Sequence, residues 1–174
     1  METGLSLVVL SGLSGVGKTT IARLLAVQLG ATFLRIDVIE QSTRAAGVLE
    51  IGHTGYAVAN ALAESNLLLG RPVVADCVNP VRASRLGWQA VATRTAARLV
   101  NLHLVCTDVI EHRRRVENCL SDIGGHILPT WEQINRHEFE EWEGDHARID
   151  TGAVKPTVLV DLCADYISGK CLGI

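Results

Sequence analysis

The chain has 174 residues, which is the length of one compact domain, and we expect no second one. Its 16 basic and 19 acidic residues give a net charge of −3. With this net charge the chain lacks the overall positive potential of a sequence-independent nucleic-acid binder. Long nucleic acids are therefore disfavoured as partners. No run approaches the roughly 20 apolar residues that a membrane span needs, so we predict no membrane association.

The cysteines are odd in number and widely spaced, and no two of them form a C-x-x-C pair. This pattern fits neither a disulfide framework nor a structural zinc site. The first residues carry no basic segment of the kind that begins a secretory signal. We therefore expect a cytoplasmic protein with reduced thiols and no metal other than Mg²⁺, present as a monomer or a homodimer. The cysteines are Cys77, Cys106, Cys119, Cys163 and Cys171.

Short β-rich runs alternate with longer helical patterns along the chain, which predicts parallel βαβ units. The predicted strands cover residues 5–11, 31–37, 72–76, 99–106 and 147–150. The predicted helices cover residues 18–29, a short stretch between 37 and 47, and then 55–69, 80–97, 108–119, 131–143 and 156–167. No internal repeat or flexible linker interrupts this alternation, so the pattern indicates a single α/β domain.

The first predicted strand leads into a glycine-rich loop with the pattern G-x-x-x-x-G-K-T, and a predicted helix follows. This pattern in this context is the phosphate-binding P-loop. The loop N–H groups and the positive end of the helix dipole attract phosphates, Lys18 reaches the β- and γ-phosphates, and the Thr19 hydroxyl ligates Mg²⁺. The predicted nucleotide-binding residues are Gly12, Leu13, Ser14, Gly15, Val16, Gly17, Lys18, Thr19 and Thr20.

Two aspartates end the second and third predicted strands. Ligands of open parallel sheets bind at the carboxyl ends of the strands, so we expect Asp37 and Asp76 beside the P-loop. Asp76 has the strand-then-Asp form of a Walker B element and is the predicted Mg²⁺ ligand alongside Thr19. Asp37 is the predicted catalytic group that accepts the proton of an acceptor hydroxyl or holds it by a hydrogen bond. The two carboxylates can exchange these roles, and each can instead cap the helix that follows it.

Arginines follow both aspartates and supply candidate contacts to the phosphoryl acceptor. Arg44 comes after Asp37, and Arg82 or Arg85 comes after Asp76. Guanidinium groups bind anionic and polyhydroxylated compounds through several N–H donors, so we predict that Arg44 and Arg82 hold the acceptor.

The predicted helix at 108–119, for which Thr107 is the expected N-cap, carries three consecutive arginines. A glycine-containing segment follows it, and the two together predict a mobile lid over about 113–129. In this hypothesis Arg115 acts in catalysis and Arg114 contacts the nucleotide when the lid closes over the phosphates. The alternative is a solvated helix face, and it covers at least one of the three arginines, Arg113 to Arg115.

Several of these segments together resemble the small P-loop kinases, a group that includes adenylylsulfate kinase, gluconate and shikimate kinases and chloramphenicol phosphotransferase. The resemblance covers nearly the whole chain, although only the P-loop is highly specific. The segments are the P-loop, Asp37-Val38-Ile39, the element from Gly70 to Asp76, the arginine-rich segment, and Ile149-Asp150-Thr151-Gly152.

The resemblance implies one P-loop kinase domain over residues 1–174 with a three-layer α/β fold of the P-loop NTPase type. It also implies a five-stranded parallel sheet in the order 2-3-1-4-5 with helices on both faces, a small helical lid, and the use of ATP with Mg²⁺. The adenine of ATP is then expected near Thr151 and Gly152.

The chain departs from the family pattern in two places. Such lids often carry a second arginine about four residues after the first, and here Asn118 and Cys119 stand there. Either Arg113, Arg114 or Arg136 substitutes for it, or phosphoryl transfer is slow. The stretch that begins at Asp37 also lacks the D-G-D type pattern of adenylylsulfate kinase, so that activity is not favoured.

These observations predict an ATP-dependent phosphotransferase that acts on a hydroxyl of a small molecule. One alternative is a nucleotide-dependent regulatory ATPase or switch, although no N-K-x-D motif for guanine occurs in the chain. Another alternative is a degenerate kinase that serves as a nucleotide-binding module. Lys18, Thr19, Asp37 and Asp76 are all present, which argues against this last possibility.

Overall fold

The computed structural model describes residues 5–169, so Cys171 and the predictions made on residues 1–4 lie outside the described residues. The strands are β1 (Ser6–Ser11), β2 (Thr32–Arg35), β3 (Val73–Asp76), β4 (Arg98–Val105) and β5 (Ala147–Asp150). The helices are α1 (Lys18–Leu29), α2 (Ile36–Ala45), α3 (Thr54–Leu68), α4 (Arg82–Thr95), α5 (Val109–Asn118), α6 (Trp131–Asn135) and α7 (Pro156–Ile167).

The five strands form one parallel sheet in the order β2-β3-β1-β4-β5, which confirms the predicted order. Every residue of β1 is buried, because helices cover both faces of the sheet and leave this central strand no solvent-facing side. The carboxyl ends of β1, β2 and β3 meet at one edge, where Leu10 and Arg35 both stand beside Asp76 in register.

The two faces of the sheet carry separate hydrophobic clusters. On one face α1 and α7 pack with side chains such as Leu25 and Leu159 against Val8 and Leu102. On the other face α3 and α4 pack, and the fully buried Trp88 of α4 is the largest side chain there. This three-layer arrangement fixes the strand ends from which the site is built.

The element after β2 differs from the sequence-based expectation. β2 ends at Arg35, and α2 begins at the next residue, so Asp37 lies in the first turn of a helix rather than at the end of a strand. The chain turns directly from strand to helix at this point, and no loop separates Arg35 from Asp37. The two side chains are therefore held by adjoining ends of regular structure.

Two further details of the prediction are corrected. Asp108, not Thr107, caps α5, because its Oδ1 accepts hydrogen bonds from the N–H groups of Ile110 and Glu111 at 3.0 Å each. Thr107 instead donates its hydroxyl to the Asp150 carboxylate. The helix expected over 131–143 ends at Asn135, and the segment that follows is held by tertiary contacts.

An aromatic cluster explains why that helix stops early. His103 of β4 stacks on Phe139 with a centroid distance of 5.1 Å, and Trp142 stacks on His146 at 4.8 Å. The guanidinium of Arg85 lies 4.4 Å from the Trp142 ring and donates to the backbone carbonyls of Glu140 and Glu141. These contacts hold residues 139–146 in a non-helical path against β4 and α4.

The cysteines at 77, 106, 119 and 163 are free thiols. None of the helices in residues 5–169 has the length and apolar character required to cross a membrane.

Candidate active site

The backbone conformation of the loop between β1 and α1 depends on two glycines, because a side chain at either position would clash. Gly12 has φ of 139°, and a Cβ there would overlap the carbonyl oxygen of Leu104. Gly15 has φ of 82°, and a Cβ there would lie 2.5 Å from Cγ2 of Val116. The glycines therefore permit both the left-handed turns and the close approach of β4 and α5 to the loop. Such a concave backbone at a helix N-terminus is suited to an anion.

The Lys18 side chain hydrogen-bonds to the backbone of this loop. Its Nζ donates a 2.8 Å hydrogen bond to the carbonyl oxygen of Leu13, and only 8% of the residue is exposed. Burial lowers the pKa of the lysine, and the nearby carboxylates of Asp76 and Asp37 oppose that shift. The ammonium group is therefore directed across the mouth of the loop and away from bulk solvent.

Thr19 and Asp76 meet between α1 and the end of β3. The Thr19 hydroxyl donates a 2.7 Å hydrogen bond to Oδ2 of Asp76, which is only 3% exposed. Burial raises the pKa of Asp76, whereas the charge of Lys18 and the hydrogen bond from Thr19 lower it. A hydroxyl and a carboxylate in contact are the oxygen ligands that Mg²⁺ takes in phosphate sites.

Arg35 stands between the two predicted carboxylates. Its Nε lies 3.7 Å from Oδ2 of Asp37 and 3.7 Å from Oδ2 of Asp76, and its side chain is 9% exposed. The fold thus brings Asp37 and Asp76 together at the P-loop, as the sequence predicts. The role of each carboxylate in the reaction remains a prediction.

The lid segment, which we define as residues 119–130, follows α5 and contacts the site through an acidic side chain. Asp122 accepts hydrogen bonds from Arg23 of α1 at 2.5 Å and from Arg35 at 2.7 Å. The predicted lid over 113–129 therefore comprises the last residues of α5 and most of this non-helical segment.

His112 joins α5 and α6 to the P-loop. Its Nε2–H donates a 2.8 Å hydrogen bond to the carbonyl oxygen of Ser14, and its ring makes an edge-on contact with Trp131 at 5.2 Å. The residue is only 7% exposed. The helices on either side of the lid segment are thereby anchored at the phosphate loop.

Arg115 lies against the loop after β5. Its guanidinium donates to Oγ1 of Thr151 at 3.1 Å and to the carbonyl oxygen of Thr151 at 3.0 Å, and it pairs with Glu111 at 2.7 Å. The Thr151 hydroxyl in turn donates to the carbonyl oxygen of Val16 in the P-loop at 2.8 Å. Arg115, Thr151 and Gly152 therefore form one corner beside the phosphate loop, where they are predicted to act.

The two other arginines of α5 lie on its outer face. Arg113 pairs with Glu117 and Arg114 pairs with Glu111, and both arginine side chains are exposed. These contacts match the solvated helix face described above. A nucleotide contact for Arg114 remains a prediction, and no hydrogen bond places the side chain at the P-loop.

The predicted acceptor arginines do not line the pocket that holds Asp37. Arg44 pairs with Glu40 one helical turn earlier, at 3.5 Å. Arg82 lies 3.6 Å from Glu143, and 69% of its side chain is exposed. Neither arginine lines this cavity, and the predicted contact of each with an acceptor remains a prediction.

A cavity of about 330 Å³ lies between the P-loop and the lid segment. Leu13 and Ser14 line it from the P-loop, Asp37 from α2 and Val78 from the residues after β3. The opposite wall comes from the lid segment and α6. The cavity is of the size that small-molecule sites use, and it places Asp37 next to the phosphate loop.

Several residues that position this site were missed in the sequence. Arg35 precedes Asp37 at the end of a strand, which was the available signal, whereas Asp122 and His112 carry no local motif. Asn79 is also buried, has φ of 52°, and donates its Nδ2 to the Ser11 hydroxyl at 3.0 Å and its N–H to Tyr56 at 2.8 Å. It fastens the chain after β3 to the start of the P-loop.

Comparison with known protein families gave one match to a family model. Residues 7–118, which are more than half of the chain, match the model described as AAA domain. A comparison with curated proteins found no match.

The chain is also similar to solved structures. A sugar kinase from Janibacter sp. HTCC2649 is 20% identical with a TM-score of 0.69, over 94% of each chain. APS kinase from Mycobacterium tuberculosis, in complex with AMPPNP and APS, is 16% identical with a TM-score of 0.67, over 93% of this chain and 96% of that chain. Kti12 from Chaetomium thermophilum, in complex with ADP-AlF3, is 22% identical with a TM-score of 0.65, over 92% of this chain and 98% of that chain. These similarities show the fold.

Proposed function

Since the chain belongs to the AAA domain family and has the fold of small P-loop kinases, we propose that it transfers the γ-phosphate of Mg-ATP to a hydroxyl of a small molecule. The observation that carries this proposal is the position of Asp37. It lines a cavity that is shared with Leu13 and Ser14 of the P-loop. A kinase needs such an acceptor pocket beside its phosphate loop, whereas a nucleotide switch does not.

The donor half of the site is the loop from Gly12 to Thr20, where Gly12 and Gly15 allow the backbone to turn while β4 and α5 pack closely against it. A concave loop of backbone N–H groups at a helix N-terminus is suited to phosphates, which supports ATP as donor. AMPPNP in the APS kinase structure and ADP-AlF3 in the Kti12 structure support a nucleotide in the same fold. The adenine is proposed to lie by Thr151 and Gly152, next to Arg115.

Thr19 and Asp76 would hold Mg²⁺, since their oxygens are already in contact at the edge of the P-loop. When bound, Mg²⁺ neutralises charge on the phosphate oxygens. Lys18 supplies a further positive charge from within the loop. Arg115 adds another from the corner at Thr151.

In the proposed reaction the Asp37 carboxylate accepts the proton of the acceptor hydroxyl. The hydroxyl oxygen forms a bond to the γ-phosphorus, and the bond from that phosphorus to the β,γ-bridging oxygen breaks. ADP leaves with the electron pair of the broken bond. Asp37 fits this role because its side chain lines the cavity and is 38% exposed, whereas the side chain of Asp76 is only 4% exposed.

The second candidate function is a regulatory ATPase or a degenerate kinase that binds nucleotide without an acceptor. Asn118 and Cys119 in place of a second lid arginine favour it, because a lid with fewer cations stabilises phosphoryl transfer less. Such a protein would hydrolyse or bind ATP at the same rate with and without an acceptor.

The two functions are separated by ADP formation with a panel of sugars, nucleosides, nucleotides and other hydroxyl compounds. We expect at least one acceptor to stimulate ADP formation and to appear as a phosphate ester by mass spectrometry. The Lys18→Met variant, checked for its fold by circular dichroism, should lose both signals. Acceptor-independent hydrolysis across the whole panel by folded protein would contradict the kinase proposal.

A further inference from the structure

The chemical character of the cavity between the P-loop and the lid segment bears on which acceptor it takes. Its far wall is formed by Leu128 and Pro129 of the lid segment and by Ile134 of α6. Leu13 and Val78 extend this apolar lining on the opposite side. An acceptor in the cavity would therefore bury apolar surface against both walls.

Half of the ten described residues that line the cavity are polar, and they come from both of its walls. Asp37 and Ser14 lie at the P-loop side, and His126, Gln133 and His137 complete the lining. The Gln133 side chain already accepts from the N–H of Thr130 at 2.8 Å as part of the helix cap. The Nε2 amide of Gln133, Ser14, Asp37 and the two histidines are therefore the candidate hydrogen-bonding partners for an acceptor.

Among the described residues that line the cavity, none is a lysine or an arginine. The arginines nearest to Asp37 along the chain are already paired, Arg35 with Asp122 and Arg44 with Glu40. A carboxylate or phosphate buried without a cationic partner carries a large desolvation cost, and the Asp37 carboxylate would repel it. The basic groups of the lining are the imidazoles of His126 and His137 rather than permanent cations, so we expect the cavity to favour a neutral acceptor over an anionic one.

We propose that the acceptor is an uncharged compound with a hydroxyl group and an apolar body. The hydroxyl is directed to Asp37, and the apolar body lies against Leu128, Pro129 and Ile134. This inference rests on the proposed phosphotransfer and names its substrate class, and the transfer step is the one given above. A site for acidic sugars or for nucleotides would instead require cations in its lining.

The test uses pairs of probes that differ in charge alone, led by para-hydroxymethylbenzamide and para-hydroxymethylbenzoate. Each is incubated with ATP and the full-length protein, and the phosphate ester is quantified by mass spectrometry. We expect the amide to be phosphorylated about tenfold faster than the carboxylate or more. Equal or faster phosphorylation of the carboxylates would overturn the inference.

Binding is measured separately by ligand-observed NMR in the presence of AMPPNP, so that the substrate class is tested even without turnover. Binding of the amides and not of the carboxylates, without any ester, would support the neutral cavity and contradict the proposed transfer. Absence of binding by every neutral member of the panel would overturn the inference itself.

A variant that is expected to change the ligand preference of the cavity tests the assignment of its apolar wall. Leu128→Arg places a cation in the apolar wall, and we expect it to shift the ratio of carboxylate to amide binding about tenfold toward the carboxylate. The control is Ile127→Arg, because Ile127 is 89% exposed and does not line the cavity. The same shift in both variants would mean that general surface charge sets the preference, and it would overturn the assignment of this wall.

Discussion

Arg35 at the end of β2 donates a 2.7 Å hydrogen bond from Nη1 to Oδ1 of Asp122 in the lid segment. The Nε of the same guanidinium lies 3.7 Å from the carboxylates of both Asp37 and Asp76. One buried cation therefore links the lid segment to the two carboxylates of the site. We therefore expect a movement of the lid segment to change which anions Arg35 neutralises.

We predict that Asp122→Asn weakens closure of the lid segment. Its pairs with Arg23 and Arg35 are lost, so the KM for the acceptor should rise severalfold while the affinity for ATP changes little. The free energy of unfolding should fall by roughly 1–2 kcal/mol, because the half-exposed pair with Arg23 contributes little, whereas the largely buried Arg35 loses its partner at 2.7 Å. Steady-state kinetics and denaturant unfolding measure the two effects.

The control for this variant is Glu117→Gln, which removes an exposed ion pair with Arg113 on the outer face of α5. It should leave the KM for the acceptor unchanged. An unchanged KM in Asp122→Asn as well would show that the Arg35 link does not govern the lid segment.

Arg115→Lys is expected to weaken ATP binding by about tenfold, because a lysine cannot maintain the fork of hydrogen bonds to Thr151 and Glu111. Isothermal titration calorimetry with AMPPNP measures the dissociation constant. Arg113→Lys is the matched control, since Arg113 pairs with Glu117 on the outer face of α5, away from the corner at Thr151. Equal losses in the two variants would contradict a specific role for the corner at Thr151.

Asp76→Asn should reduce the rate of ADP formation on the order of a hundredfold and raise the Mg²⁺ concentration required for half-maximal rate. The amide can still accept a hydrogen bond from Thr19, but it no longer supplies the negative charge that favours a divalent cation. A Mg²⁺ titration of initial rates provides the measurement, with Asp161→Asn on the exposed face of α7 as control. An unchanged Mg²⁺ dependence would place the metal ligand elsewhere.

The aromatic cluster predicts a loss of stability at acid pH. Burial lowers the pKa of His103 from 6.5 to about 4, and the charges of His146, Arg148 and Arg85 add to that shift. The unfolded chain therefore binds the proton first, so this contribution is complete above pH 6.5 and declines as the pH falls toward 4.

His103→Phe should keep the stacking on Phe139 and flatten the dependence of the free energy of unfolding on pH between those two values. Urea unfolding across that range measures it, and His53→Phe at an exposed position is the comparison. Parallel pH profiles for wild type and His103→Phe would exclude His103 as the source.

Much of the architecture was predictable because it depends on local signals. α1 and α7 have the predicted bounds, since the P-loop precedes α1, Gly30 with φ of 59° ends it, and Pro156 begins α7. The sheet order followed from a family resemblance that rests mainly on the P-loop. The convergence of Asp37 and Asp76 followed from the rule that ligands bind at the strand ends of parallel sheets.

The remainder depends on contacts between distant parts of the chain. Arg35 and Asp122 are 87 residues apart, and His112 and Ser14 are 98 apart, and neither pair has a sequence motif. The end of α6 at Asn135 likewise depends on packing against His103 and Arg85 rather than on a local stop signal. Sequence periodicity cannot show such tertiary partners.

The most direct test of phosphotransfer is the fate of radioactive phosphorus from the γ-position of ATP, incubated with a metabolite extract and with wild type or Asp37→Asn. We predict that wild type places the label in an organic phosphate ester, and that Asp37→Asn loses this product while still binding AMPPNP. Release of all the label as inorganic phosphate, at equal rates by both proteins, would contradict the account.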